Sequence, residues 1–316
     1  MTFTASSAEL LRALTVVSGA VPSKSTLPIL ENILFQRDGD HLRFSATDLE
    51  ISIVETISVN FEDAPTDSRT RVAVPAKRLL DTLRALPDVP IQFSTDDEFG
   101  VTLKTDYGMY KMVGQDGADY PALPELDVQA KVQTTGRTLK RAIQKTSFAV
   151  SKDALRPAMM GVFFQIAADG GRAVATDGHR LVKLDVAGLT SEEPLKFIVP
   201  EKALSLAARI ARDTDCTISV GEGYVELDFT ESRVVARLID ESYPNYEAVI
   251  PLDNDRRMTI SRDAMLAAVK RVGLYSSSMT NQIRLSLDTG KVEISAEDIE
   301  RSSEAHETVR CEYGSE

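Results

Sequence analysis

Few side chains in this chain could carry out catalysis or hold a metal ion. The 316 residues include three histidines and two cysteines, and none of them lies in a zinc or metalloprotease motif. Glycine-rich phosphate-binding loops and nucleophile elbows are also missing from the sequence. His179, in the segment TDGHRL, is compatible with a surface histidine or with a binding groove that it lines with Arg180 and Leu181. We therefore expect no catalytic residue, no metal and no cofactor.

Cations, in contrast, recur on five segments with helical spacing. Segments 7–17, 75–86, 135–148, 201–213 and 261–272 together carry a net charge of +9, whereas the whole chain carries −12. Lysine and arginine are good helix formers, so their presence in helices has a simple explanation. Their concentration on related helices favours a shared basic surface, which suits sequence-independent contact with phosphates inside an acidic exterior.

These segments belong to a repeat of domain size. FTASSAELLRAL begins at Phe3, VQTTGRTLKRAI at Val132 and MTISRDAMLAAV at Met258, so the copies start 129 and then 126 residues apart. VPAK at Val74 and VPEK at Val199 have no third copy. A repeat of this length corresponds to a whole domain. We predict three domains, at 1–127, 128–255 and 256–316, of which the third is incomplete.

Each half-repeat has the pattern of one strand, a capped helix and three strands. Apolar and polar residues alternate along most strands, which indicates antiparallel sheets with one face against helices. The predicted fold class is therefore α+β. The composition, with 27% charged and 43% hydrophobic residues, is that of a globular protein without a membrane span. Two cysteines are too few for a disulfide framework, so a cytoplasmic location is expected.

Three segments carry a resemblance to a known family: TDLE at 47–50, TDGHRL at 176–181 and SYPNYEAVIP at 242–251. They are similar to those of the bacterial sliding clamp, the β subunit of DNA polymerase III, and the similarity extends over the whole chain. The resemblance implies a non-catalytic processivity factor. Three similar domains per subunit would form a homodimeric ring when the chain is full length, with helices lining a central hole and sheets outside.

The resemblance also implies partners and the residues that bind them. The implied partners are duplex DNA, the polymerase III α subunit, the clamp loader, and other polymerases and repair proteins that carry short linear motifs; no membrane is implied. The DNA-binding positions would be Lys24, Lys77, Arg78, Arg84, Arg137, Lys140, Arg141, Lys145, Arg156, Lys202 and Arg209. The peptide groove would comprise Met159, Thr176, Gly178, His179, Arg180, Leu181, Pro244 and Val249. The subunit interface would use Tyr110, Met112, Leu274 and Tyr275.

One segment departs from the family pattern, and two alternatives remain open. Before Met159 the chain reads Arg156-Pro157-Ala158, where relatives often carry tyrosines that touch DNA, so only Arg156 is expected to contribute there. A peptide-binding adaptor that does not encircle DNA is one alternative, and a hydrolase or transferase is the other. A molecule that truly ends at Glu316 is expected to have a labile third domain and to close rings poorly.

Overall fold

The computed structural model describes residues 1–62, 70–124 and 126–314, which form two compact units, Met1–Pro244 and Asn245–Glu316. The first unit holds the first two sequence repeats, and the second holds the start of the third. The predicted boundary at 127/128 lies inside the first unit. One nine-stranded sheet contains strands of both repeats, so the two repeats are not separated into different units. The boundary at 127/128 therefore stays a prediction.

The first repeat contains ten strands and two helices within the described ranges. They are β1 (Thr2–Ser6), α1 (Ser7–Val17), β2 (Asn32–Asp38), β3 (His41–Thr47), β4 (Ile51–Ser58), β5 (Asn60–Phe61), β6 (Arg71–Pro75), α2 (Ala76–Ala85), β7 (Pro90–Thr95), β8 (Gly100–Thr105), β9 (Gly108–Val113) and β10 (Gln115–Asp116).

The second repeat has the same order of elements except for the short strands β5 and β10, which have no counterpart among its described residues. Its elements are β11 (Val128–Thr135), α3 (Gly136–Thr146), β12 (Gly161–Ala167), β13 (Gly170–Thr176), β14 (Leu181–Val186), β15 (Leu195–Pro200), α4 (Glu201–Ile210), β16 (Asp215–Gly221), β17 (Tyr224–Asp228) and β18 (Ser232–Arg237). The second unit contains β19 (Thr259–Ile260), α5 (Arg262–Val272), β20 (Arg284–Asp288), β21 (Lys291–Asp298) and β22 (Ser303–Glu312).

All described strand pairs are antiparallel, as the alternation predicts. The first unit has sheets in the orders β5-β1-β7-β8-β9, β14-β13-β12-β15 and β10-β6-β2-β3-β4-β18-β17-β16-β11. The nine-stranded sheet joins the two repeats through β4 and β18, where Ile53 pairs with Val234 and Glu55 with Ser232. The second unit has one sheet, in the order β19-β22-β21-β20.

Local capping explains where the first helix of each repeat begins. The side-chain oxygens of Ser6, Thr135 and Ser261 accept hydrogen bonds from the backbone N–H groups of Glu9, Thr138 and Ala264, at 3.3, 3.1 and 3.4 Å. Each bond satisfies one of the free N–H groups of a helix start. The predicted helix starts at 135 and 261 are thus the cap residues themselves.

Packing of the helices against the sheets buries the apolar faces. In the first unit α1 packs on α2 and α3 on α4, and both pairs lie over one continuous core. The core of the second unit is much smaller: among the described residues its hydrophobic cluster has five buried members, namely Ala268, Val272, Val292, Ile294 and Ala296. The fourth helix ends at Ile210, three residues before the predicted end, because Ala211 turns to an extended conformation (ψ 124°).

Candidate DNA-binding and peptide-binding surfaces

The polar faces of α2 and α3 carry the densest positive charge among the described helices. α3 contains four cations and no acidic residue. Its apolar residues Leu139, Ala142 and Ile143 are buried, so the cations lie on the opposite side. In α2 the exposed cations Lys77, Arg78 and Arg84 likewise lie opposite a buried apolar face. Such faces can contact phosphates without reading a base sequence.

α4 and two loops contribute the remaining predicted cations. Lys202 and Arg209 are exposed and lie two turns apart on α4, opposite its buried residues. Lys24 is exposed in the loop that precedes a 3₁₀ turn at Pro28–Glu31. Arg156 is exposed before the equivalent turn of the second repeat, Pro157–Met160. Every sequence-predicted DNA-binding residue therefore lies in the first unit, and Lys140 alone among them is half-buried.

Several of these cations already have acidic partners. Arg137 forms an ion pair with Asp213, and Lys202 forms one with Asp48. Arg84 lies 3.1 Å from Asp81, and Arg156 lies 3.5 Å from Asp153. Sequence reasoning did not identify these carboxylates as part of the surface. The pairs Arg84–Asp81 and Arg156–Asp153 are three residues apart in sequence, so spacing alone indicates them. Asp213 and Asp48 are distant in sequence from Arg137 and Lys202, and only the fold places them together.

The outer face of the sheet β14-β13-β12-β15 carries apolar side chains that are largely covered, since Phe163, Val174 and Ile198 are 9%, 0% and 2% exposed. Phe163 pairs across strands with Val174 and Ile198, so these side chains share the face opposite to the core residues Phe164 and Ala173. The ring of Tyr243 stacks on Phe163, with centroids 4.6 Å apart and planes 10° apart. Stacking of this kind anchors the segment that leads to Pro244 on this face.

The turn TDGHRL borders this apolar face. Thr176 and Leu181 pair at the ends of β13 and β14, and the Thr176 hydroxyl donates to the carbonyl oxygen of Arg180 at 2.8 Å. Gly178 has φ +88°, and a Cβ atom there would come within 2.9 Å of the Arg156 guanidinium. The positive φ favours glycine at this position, whereas the flexible end of Arg156 could move to make room for a Cβ atom. The register places Thr176 and Leu181 on the same face as Phe163.

Asp177 organises the exposed part of the turn. Its Oδ1 accepts the backbone N–H groups of Arg180 at 3.0 Å and His179 at 2.9 Å, and these bonds lower the pKa of the Asp177 carboxyl. The Arg180 Nε donates to Oδ2 at 3.1 Å, and its guanidinium lies 5.6 Å from the ring centre of Phe148, which is 57% exposed. His179 itself is exposed, so the turn presents polar groups around a half-buried Leu181.

The remaining predicted residues divide between the two units. Met159 and Pro244 are half-buried in the first unit, and Val249 is 69% exposed in the second. Tyr110 and Met112 lie on β9 at the edge of a sheet, but Met112 is 6% exposed and belongs to the core. The outward face of β9 instead consists of Met109, Lys111 and Val113. In the second unit Leu274 is 82% exposed and Tyr275 is 45% exposed.

Metal-binding clusters, membrane-spanning helices and reactive thiols are three other features that the described residues can be checked for. No group of three or more His, Cys, Asp or Glu side chains in the described ranges is placed to hold a metal ion. Within the same ranges no helix is long and apolar enough to cross a membrane. Cys216 is buried, which raises the pKa of its thiol to about 12, so the residue is unsuited to act as a thiolate nucleophile.

Comparison with known proteins decides the family. Residues 1–124, 133–245 and 247–316 match the N-terminal, central and C-terminal domains of the DNA polymerase III beta subunit. The beta sliding clamp of Caulobacter vibrioides is 30% identical over 326 aligned positions, which cover all of this chain and 86% of that protein. The chain belongs to the DNA polymerase III beta subunit family.

Solved structures agree with this assignment. The structure of a sliding clamp from Pseudomonas aeruginosa bound to griselimycin has a TM-score of 0.89 and 30% identity, covering the whole of this chain and 85% of that one. A clamp structure from Bartonella birtlesii, also bound to griselimycin, has a TM-score of 0.89 and 26% identity. This family is the beta sliding clamp, a non-catalytic processivity factor in DNA replication. The α+β fold predicted from the repeats is confirmed.

Proposed function

We propose that this clamp holds duplex DNA through the exposed cations of α2, α3 and α4 together with Lys24 and Arg156. The contacts would be made to phosphates, so that the clamp binds every sequence alike and moves along the duplex. Family membership supports the role of a tether for the replicative polymerase. The chain would act in the cytoplasm, which is consistent with its unpaired cysteines.

The observation that supports this proposal most strongly is the charge of α3. The helix carries four cations in eleven residues without any acidic residue, although the whole chain has a net charge of −12. Its apolar face is buried in the core, and the exposed cations Arg141 and Lys145 lie outside that face. A surface so different from the rest of the molecule suits a polyanionic ligand.

We further propose that the outer face around Phe163, Leu181 and Thr176 binds short peptides from partner proteins. Apolar side chains with a few fixed polar groups are the usual features of a peptide-binding site. Here Leu181 is half-buried and borders the buried residues Phe163 and Thr176. Met159, Gly178, His179, Arg180 and Pro244 complete the proposed set in the first unit, and the family resemblance alone adds Val249 of the second unit. The polymerase III α subunit, the clamp loader, other polymerases and repair proteins are the proposed sources of such peptides.

For the full-length protein we propose a homodimeric ring. β9 forms the edge of its sheet among the residues that the structure describes, so a strand from a second subunit could pair with it, and Leu274 and Tyr275 are sufficiently exposed to contact a partner. In this arrangement Tyr110 and Met112 would contribute through the backbone of β9, since Met112 is buried.

Retention on circular DNA tests the proposed tether. A clamp placed on a nicked circle by its loader should remain bound for as long as the circle is closed, because a ring can leave duplex DNA only at an end. Cutting the circle with a restriction enzyme should release the protein. If the protein leaves cut and uncut circles at the same rate, it binds DNA as an adaptor does and the proposed tether is wrong.

A further inference from the structure

Two cations of the proposed DNA surface are bound by carboxylates from other elements. Arg137, in the first turn of α3, pairs with Asp213 in the segment after α4. Lys202, in the first turn of α4, pairs with Asp48 in the turn between β3 and β4, a residue of the other sequence repeat. Both pairs are accessible to solvent at the cation, since the side chains of Arg137 and Lys202 are 74% and 59% exposed.

Backbone hydrogen bonds fix the carboxylate of Asp48 independently of its contact with Lys202. Its Oδ1 accepts the backbone N–H groups of Glu50 at 3.1 Å and Ile51 at 2.7 Å, and its side chain is 14% exposed. Its Oδ2 accepts a hydrogen bond from the Lys202 ammonium. The exposed ammonium of Lys202 is thus already bound by an anionic oxygen that the backbone holds in place.

Other cations of the same surface lack such a partner. Within the described residues no carboxylate oxygen lies within 4.0 Å of the side-chain nitrogens of Lys77, Arg78, Arg141, Lys145 or Arg209. The surface therefore contains cations free to bind phosphate and cations that must first leave a carboxylate. Exposed ion pairs add little to the stability of a fold, so the Arg137–Asp213 pair, with side chains 74% and 57% exposed, contributes little to folding.

We propose that Asp48 and Asp213 compete with DNA phosphates for Lys202 and Arg137, and thereby lower the affinity of the clamp for DNA. This inference rests on the proposed DNA surface. A cation that stays with its carboxylate neutralises no phosphate and releases no counterion from DNA. A clamp that must move along the duplex benefits from contacts that are readily exchanged, and an internal anion makes that exchange easier.

The test uses the substitutions Asp48→Asn and Asp213→Asn in the whole chain, with Asp185→Asn as matched control. Asparagine keeps the Oδ1 acceptor that orders the turn at Asp48. Asp185 pairs with Arg172 at 3.1 Å on the sheet β14-β13-β12-β15, so its replacement changes the net charge equally without freeing a cation of the proposed surface. The readout is the dissociation constant for a short linear duplex as a function of salt concentration.

The plot of log affinity against log salt has a negative slope, and each released cation should make it steeper by about 0.9. The ratio of affinities between about 50 and about 200 mM salt should therefore grow roughly three- to fourfold for Asp48→Asn and for Asp213→Asn, and stay unchanged for Asp185→Asn. The double variants Asp213→Asn/Arg137→Met and Asp48→Asn/Lys202→Met should lose this gain, because the cation that was freed is then missing.

Equal slopes for Asp48→Asn, Asp213→Asn and Asp185→Asn would overturn the inference. So would a gain that persists in the double variants, because it would then arise from net charge or from a changed turn. The proposed DNA surface itself is tested separately by replacing Arg137, Lys140, Arg141 and Lys145 with glutamine, here called the α3 variant. If the α3 variant binds DNA as well as the parent does, the surface is wrong; if it binds weakly while the asparagine variants resemble the control, only the competition is wrong.

Discussion

At the scale of single residues, Glu55 is the least expected feature of the chain. Its side chain is 1% exposed on β4, where it accepts a hydrogen bond from Ser232 on β18 and lies 3.3 Å from the guanidinium of Arg12. Burial raises the pKa of the Glu55 carboxyl above its ordinary value of 4.5, against the opposing effects of Ser232 and Arg12. The buried charge lies at the junction of β4 and β18, where the two repeats meet.

The raised pKa predicts a pH effect on stability. The folded chain holds the proton of Glu55 more tightly than the unfolded chain, so this residue favours folding below pH 4.5 and loses that contribution as the pH rises through its folded pKa. Glu55→Gln cannot ionise and keeps the hydrogen bond with Ser232. The free energy of unfolding of Glu55→Gln in urea, relative to that of the parent, should therefore increase as the pH rises from 4.5 towards neutrality.

A matched control is available in the same strand-turn region. Glu50 is exposed and pairs loosely with Arg237 at 3.6 Å, so Glu50→Gln should follow the parent across the same pH range. If Glu55→Gln also runs parallel to the parent at every pH, then Glu55 ionises in the folded chain as easily as in the unfolded one, and the effect ascribed to its burial is absent.

At the scale of elements, the turn TDGHRL and the strands that carry it should decide partner binding. Replacing Leu181 by aspartate places a charge on the apolar face beside Thr176. Binding of a peptide with a glutamine and following hydrophobic residues should weaken at least about 30-fold, the size of effect found when a central anchor of an interface is lost. Val249→Asp should weaken it in the same direction.

Isothermal titration with this peptide measures the effect, and Val128→Asp serves as control. Val128 is 40% exposed at the start of β11 and belongs to a different sheet. Urea unfolding of each variant shows whether the fold is retained. A Leu181→Asp protein that folds normally and binds the peptide with parental affinity would show that this face is not the peptide site.

Elements differ in how far the sequence alone predicts them. Helix starts were predictable because Ser6, Thr135 and Ser261 cap the helices through contacts within a few residues. The junction of β4 with β18 was not, because strand edges pair through backbone groups that every sequence has. The partner of Lys202 escaped prediction because Asp48 precedes it by 154 residues and only the fold brings the two together. The partner of Arg137, Asp213, is likewise distant in sequence.

At the scale of the whole molecule, an acidic chain should bind an acidic polymer because its positive charge is confined to a few helices. The first unit carries the cations of α2, α3 and α4, while the exposed strands hold both signs of charge. Contact through such helices is independent of base sequence and depends on salt through the counterions that DNA releases. The account therefore depends on the position of the charges and not on their sum.

The most direct test compares the α3 variant with a second quadruple variant of equal charge, in which Lys104, Lys131, Lys183 and Lys196 on the strands are replaced by glutamine. Dissociation constants are measured by fluorescence anisotropy for two duplexes of unrelated sequence over a range of salt concentrations. The α3 variant should bind both duplexes more weakly, and the steepness of its plot of log affinity against log salt should fall by up to about 2.7, because Arg137 is already held by Asp213 and only three of the four cations are free to neutralise phosphates. The strand variant should keep the parental slope. Equal losses in the two variants, or a loss confined to one duplex, would contradict the account.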